Sequence, residues 1–223
     1  MRVIVIGVGF VGRPLCDLME RSGHEVVRVT RNGTGNSTAC DVSDRDSLNL
    51  LHEEKGEMDI IIHCASSGSR GADREARYKE VYVDGCRNVL ETFSDSRFIF
   101  VSSSSVYGQR DGSIVDENSI TEPLSVTSKL LLEAESITSD SGGSIARLAG
   151  IYGPGRSYLL KRYIEGSAQI DENGSESDGR WINQIHRDDA ASALAHMVES
   201  SGMNGIYNVC DDEPAPPSEA VEY

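Results

Sequence analysis

The strongest constraint on this chain lies in its first twelve residues. Arg2-Val3-Ile4-Val5-Ile6 reads as an apolar strand. It runs directly into Gly7-Val8-Gly9-Phe10-Val11-Gly12, with a helix-like segment behind it. A strand that becomes a helix through G-x-G-x-x-G is the opening of a dinucleotide site. Gly7 allows the tight turn, Gly9 lets backbone approach a pyrophosphate, and Gly12 lets helix and strand pack closely. The helix start then offers unpaired N–H groups and positive dipole to the phosphates. Gly7, Gly9, Phe10, Val11 and Gly12 are therefore expected cofactor ligands. The plainer alternative is a glycine-rich turn, and the strand immediately before it tips the balance toward a nucleotide.

The bulk properties narrow the partners. At 223 residues the chain has room for one α/β domain, or one domain with a small lobe. A formal net charge of −15 argues against nucleic acid and anionic membrane, both polyanions. A nucleotide needs only local cations, so it stays open. No apolar run reaches transmembrane length, and Met1–Ile6 lacks the long apolar region of a signal peptide. Cys16, Cys40, Cys64, Cys86 and Cys210 are scattered and lack metal spacing. They read as reduced, mostly buried thiols of a cytoplasmic protein.

Strand and helix patterns then alternate. A helix over Phe10–Arg21 is followed by a strand at Glu25–Thr30 and a short strand at Ala39–Val42. Ser43 is expected to cap a helix near Asp44–Leu51. Asp59–His63 is apolar throughout its centre, as in a strand buried on both faces. A long helix at Ala72–Phe93, a strand at Arg97–Val101, a helix at Ser125–Ser139 and a strand at Ile145–Leu148 complete the series. The alternation predicts an α/β fold with a doubly wound parallel sheet of Rossmann type over residues 1–150. Residues 151–223 are richer in Gly, Asp and Glu. They carry an acidic, solvated loop at Asp171–Gly179, a helix at Asp188–Glu199 and a strand at Gly205–Val209. They are expected to form a reduced C-terminal substrate lobe interleaved with the core.

Six further segments fall in one order. They are Ile61-Ile62-His63-Cys64-Ala65, Tyr82-Val83-Asp84-Gly85-Cys86-Arg87-Asn88-Val89-Leu90, and Phe100-Val101-Ser102-Ser103-Ser104-Ser105-Val106-Tyr107-Gly108. Arg147-Leu148-Ala149-Gly150-Ile151-Tyr152-Gly153-Pro154-Gly155, Ile182-Asn183-Gln184-Ile185-His186-Arg187-Asp188-Asp189, and Tyr207-Asn208-Val209 follow. In this register the chain resembles the extended and atypical short-chain dehydrogenases/reductases, the NAD-dependent epimerase/dehydratase group. Two departures stand out. Ile6 falls where the usual G-x-x-G-x-x-G has its first glycine, so the turn follows the atypical members. The family's Y-x-x-x-K becomes Ser125-Val126-Thr127-Ser128-Lys129, with serine where the tyrosine belongs.

The resemblance implies roles residue by residue. The family tyrosine moves a proton as hydride moves, and the lysine holds the nicotinamide ribose and lowers the tyrosine pKa. Lys129 would keep the ribose role. Ser125 is shorter by a phenyl ring and far harder to ionise, so it cannot copy the tyrosine, and the favoured reading for it is a helix N-cap. Positioned acid–base help is worth roughly 10²–10⁴ in rate. Ser103 falls at the catalytic Ser/Thr position and would bond a substrate oxygen. Tyr107 and Tyr152 are the candidate replacement acids, although both match tyrosines the family uses for packing. His63 reads as structural.

Cofactor choice follows from charge. An acidic residue at the end of strand two selects NAD, whereas an arginine accommodates the 2′-phosphate of NADP. Here Val29-Thr30-Arg31-Asn32-Gly33 has no carboxylate. Arg28 and Arg31 are both near, and Arg31 is the expected phosphate partner. NADP is thus preferred, with NAD the alternative. Asp41 and Val42 would frame the adenine, and Cys64, Ala65, Ser66 and Ser102 would line the cofactor. The implied substrate is a nucleotide sugar or a similar hydroxyl/carbonyl compound, with Arg156, Arg180 and Asn183 available to an anionic group. A homodimer through the Ala72–Phe93 and Ser125–Ser139 helices is implied as well. The competing reading is a non-catalytic NADP-binding sensor or scaffold that has lost its active-site tyrosine.

Overall fold

The structure is a computed structural model that describes residues 1–68, 73–156, 165 and 181–214. Its main sheet contains β1 (Arg2–Ile6), β2 (Glu25–Thr30), β3 (Thr38–Ala39), β4 (Ile60–His63), β5 (Arg97–Ser103) and β6 (Ser144–Leu148). A second, two-stranded parallel sheet pairs β7 (Gly150–Tyr152) with β8 (Gln184–His186). The last strand, β9 (Ile206–Val209), returns to the main sheet. The seven strands of that sheet are all parallel and lie in the order β3-β2-β1-β4-β5-β6-β9. Among the described residues the α-helices are α1 (Gly12–Arg21), α2 (Arg45–Lys55), α3 (Arg74–Tyr78), α4 (Gly85–Thr92), α5 (Val126–Asp140) and α6 (Arg187–Glu199).

Strand alternation feeds two cores, one on each face of the sheet. Val3, Val5, Ile60 and Ile62 pack with Leu15, Cys16 and Met19 of α1 and with Leu194, Met197 and Val198 of α6. Ile4, Ile6 and Ile61 pack with Leu48 and Leu51 of α2, Val89 of α4, and Leu131 and Ala134 of α5. Both sets of side chains are buried, so Val3–Ile6 of β1 and Ile60–Ile62 of β4 are apolar on both faces.

Several boundaries differ from the sequence reading. Helix α1 begins at Gly12 rather than Phe10, because Gly7–Val11 is spent on the turn. Strand β3 is two residues long, Thr38–Ala39, not Ala39–Val42. Asp44, not Ser43, caps α2 by accepting the Asp46 N–H at 3.0 Å. The Ser43 hydroxyl instead donates to Asp41 Oδ1 at 2.7 Å. Within the Ala72–Phe93 segment, Lys79–Asp84 is a π-helical stretch between α3 and α4, and residue 72 lies outside the described residues. Strand β9 extends the main sheet by pairing with β6, and α6 packs against α1. The acidic loop at Asp171–Gly179 and Arg180 lie outside the described residues.

Candidate cofactor and active site

The strand order reverses direction between β1 and β4, and ligands of such sheets bind where this happens, at the strands' carboxyl ends. Gly7 leaves β1 with φ +95° and donates its N–H to Val29 O at 2.8 Å. A Cβ on Gly7 would lie 2.4 Å from the Ala65 backbone, and one on Gly12 would lie 2.1 Å from Gly7 O. The protein's own backbone therefore demands both glycines. Gly9 is different, because a Cβ there would meet nothing within 4 Å. Its open face is a cradle that the fold itself does not need. The position before α1 is Val11, which supplies no side-chain cap. Within the first turn of α1 the Arg13 N–H bonds to Gly9 O at 3.1 Å and the Leu15 N–H to Val11 O at 3.2 Å, so it is the N–H groups of Phe10–Gly12, just ahead of them, that are open to an external acceptor. These features fit a dinucleotide phosphate.

At the end of β2 the two arginines part company. Arg28 is buried and donates to Asp17 at 2.6 Å and to both Glu20 oxygens at 2.9 Å, so it belongs to the α1 interface. Arg31 is exposed and has no ion pair among the described residues. Asp41 accepts the Ser43 N–H and hydroxyl through Oδ1. Val42 is buried, and its carbonyl accepts the Asn88 amide at 3.0 Å.

Beyond β4, Cys64, Ala65 and Ser66 run beside the turn, with Cys64 N–H bonded to Ile6 O at 2.8 Å. Burial pushes the Cys64 thiol well up, so it stays protonated and unreactive. His63 is fully buried, its Nε2 bonded to Val81 O at 2.9 Å and its Nδ1 accepting the Ala65 N–H at 3.3 Å. Burial holds it down at about 4, so it is neutral at pH 7 and orients the loop rather than carrying protons. Its partner carbonyl sits in the π-helical stretch, a kind of bulge that frequents functional sites.

Strand β5 ends at Ser103, whose Oγ accepts the Ser105 N–H at 3.2 Å. Ser125 is the N-cap of α5, with Oγ accepting the Ser128 N–H at 3.1 Å. Its hydroxyl also donates to Ser128 Oγ at 2.8 Å, and Ser128 donates to Ser105 Oγ at 3.2 Å. This hydroxyl chain brings the Ser103–Ser105 turn and the start of α5 together. Lys129, in the first turn of α5, is exposed and has no ion pair among the described residues. The Ser102 hydroxyl donates to Glu135 Oε1 at 2.5 Å, so it is committed to the interior. The Tyr107 hydroxyl accepts from Arg147 Nη1 at 2.8 Å and sits 2.9 Å from Asn208 Oδ1 and 3.0 Å from Asp116 O. Tyr152 is 37% exposed and lies edge-on to His186 at 5.4 Å.

Glu135 is the residue that sequence reading missed. It is buried at the hub of this network, bound to both Ser102 and Arg147. Its signal was present in the pattern: Leu131, Glu135 and Thr138 share one face of α5, and all three are buried.

The sequence profile of the NAD dependent epimerase/dehydratase family matches residues 3–210. The chain belongs to this family. Protein YeeZ of Escherichia coli K12 is 28% identical over 237 residues, covering 100% of this chain and 81% of that protein. A 3-diazoavenalumate denitrifying reductase of Streptomyces is 25% identical, covering 97% of this chain and 78% of that protein. The Thermus thermophilus UDP-glucose 4-epimerase, solved in complex with NAD, superposes with a TM-score of 0.81 at 21% identity. That match covers 100% of this chain and 81% of the epimerase, and at this identity it speaks for the Rossmann fold alone. No helix among the described residues is long and apolar enough to cross a membrane.

Proposed function

We propose that this family member binds NADP in preference to NAD and works on a nucleotide sugar or a similar hydroxyl/carbonyl compound. The observation that carries the reading is the glycine turn at the sheet's reversal point, where Gly9 faces open space that packing does not require. The backbone of Gly9–Gly12 would hold the diphosphate. Arg31 would take the 2′-phosphate, Asp41 and Val42 the adenine side, and Lys129 the nicotinamide ribose. When bound, the dinucleotide supplies a hydride donor or acceptor. Ser103 polarises the substrate oxygen. Residues 151–223 supply the substrate side, and the α3–α4 and α5 helices supply a homodimer face.

Ser125 spends its hydroxyl on capping α5, so the proton must come from another group. The same observation favours a second reading, a dinucleotide-binding protein without turnover. One experiment separates the cofactor claims: titration of the protein with NADPH and NADH, alongside Arg31→Ala. Tighter NADPH binding that disappears in the variant is expected. Equal affinities in the parent would overturn the role of Arg31, and no binding of either would overturn the cofactor reading. Chromatography of the sugar products, read beside absorbance at the reduced-nicotinamide band, after adding UDP-sugars to the NADP-loaded protein then tests turnover, because an epimerisation returns its hydride and leaves the absorbance unchanged. No product and a flat trace with the parent, with product from Ser125→Tyr, would favour the non-catalytic reading.

A further inference from the structure

The Gly7–Gly12 turn contains no charged residue, yet the chain carries a formal charge of −15 and would have to bind a polyanion there. Local cations must offset that field. Two come from a distant part of the sequence. The guanidinium carbon of Arg156 lies 5.3 Å from the centroid of the Phe10 ring, and that of Arg187 lies 5.5 Å from it. Phe10 stands inside the turn, between Gly9 and Gly12.

The loop after β7 is shaped to make this contact. Gly153 has φ +149°, and a Cβ there would lie 3.1 Å from Arg187 Cβ and 3.4 Å from Phe10 Cζ. Its N–H bonds to Arg156 O at 3.1 Å, and the Arg156 N–H bonds back to Gly153 O at 2.9 Å, which folds Arg156 over the ring. The two arginines differ in their commitments. Arg187 donates from Nε to Asp188 at 2.8 Å, so its charge is balanced and its position held. Arg156 is exposed and has no ion pair among the described residues. A stacked guanidinium keeps its planar fork ordered and its donors available, a form suited to a phosphate pair.

We propose that Arg156 binds the diphosphate of the dinucleotide beside the glycine turn, with Phe10 as its platform and Arg187 as its backing. The proposal rests on the cofactor reading above and adds a ligand to it. It also joins the segment after β7 to the cofactor turn, so that the two halves of the site are assembled on one aromatic ring.

The test is titration of NADPH, and separately of UDP, into the parent and into Arg156→Ala, Arg156→Lys and Phe10→Leu. Arg21→Ala, at the far end of α1, controls for net charge. NADPH affinity should fall roughly tenfold in Arg156→Ala, the size of one lost charge-assisted contact. Arg156→Lys should recover part of it, and Phe10→Leu should weaken binding although its ring is only the platform. Thermal melting of the unliganded variants shows that they fold. An Arg156→Ala affinity within about twofold of the parent, or a loss no larger than that of Arg21→Ala, overturns the proposal. A loss confined to UDP also overturns it, placing the arginine on a substrate diphosphate instead. A parent that binds no dinucleotide fails at the earlier reading, whereas a parent that binds equally well without Arg156 fails only here.

Discussion

Glu135 of α5 and Arg147 of β6 form an ion pair inside the protein, with side chains only 5% and 3% exposed. Arg147 Nη2 lies 2.6 Å from Oε2, and Nε lies 3.1 and 3.2 Å from the two carboxylate oxygens. Ser102 fills a further acceptor site on Glu135, and Arg147 stacks over Tyr107 at 5.0 Å. The network ties α5, which carries Lys129 behind its Ser125 cap, to β5, β6 and β9.

Breaking this pair from one side should be severe. Arg147→Ala leaves the Glu135 charge buried beside Ser102, and a loss of about 3–5 kcal/mol is expected on urea denaturation. Replacing both partners with apolar residues of similar volume should cost much less than either single change. Equal losses in the single and double variants would show that the pair is not the source of the effect.

The glycine turn separates fold from ligand. Gly12→Ala drives a Cβ onto the Gly7 carbonyl, so about 3 kcal/mol of stability should go, seen as an earlier unfolding midpoint. Gly9→Ala meets open space and should unfold within about 0.5 kcal/mol of the parent. It should nonetheless lose NADPH binding by roughly tenfold or more, because the methyl occupies the phosphate cradle. Calorimetric titration beside a denaturation curve checks both halves.

His63 makes stability depend on pH with a definite sign. Burial lowers its pKa from 6.5 to about 4, so as pH falls the unfolded chain takes up the proton first. Stability from this group is complete above about 6.5 and is lost as pH falls toward about 4. The total is on the order of 3 kcal/mol. Denaturation at several pH values should show a smaller loss on acidification in His63→Gln than in the parent. Parallel slopes would count against this assignment.

Ser125 is expected to act as a cap. Ser125→Ala should cost about 1 kcal/mol, and Ser125→Asp should restore it, because both Ser and Asp accept the Ser128 N–H. NADPH affinity should be unchanged in both. A roughly tenfold change in affinity with no change in stability would reverse the assignment, making Ser125 a cofactor contact.

Local pattern made much of this molecule legible. The apolar runs at Val3–Ile6 and Ile60–Ile62 announce strands buried on both faces, and the glycine spacing announces the turn. Ser125 reads as an N-cap from its residue type alone, and the structure shows the bond. The cap of α2 is not legible in this way, because two neighbours compete for one role. Ser43 and Asp44 are both good caps, and Ser43 is already bound to Asp41.

The succession of strands and helices, the glycine turn and the absence of a tyrosine before Lys129 can all be read from the amino-acid order. These follow from side-chain period and backbone sterics, which act between residues close along the chain. Which polar groups are spent is settled by long-range packing. Arg28 and Arg31 are near neighbours in the chain, yet one is buried against Asp17 and Glu20 while the other stays exposed. Ser102 and Ser103 are adjacent, and the pleat turns one toward Glu135. Phe10 and Arg156 meet across most of the chain. A buried donor takes whatever acceptor packing brings to it, and packing is a property of the whole fold.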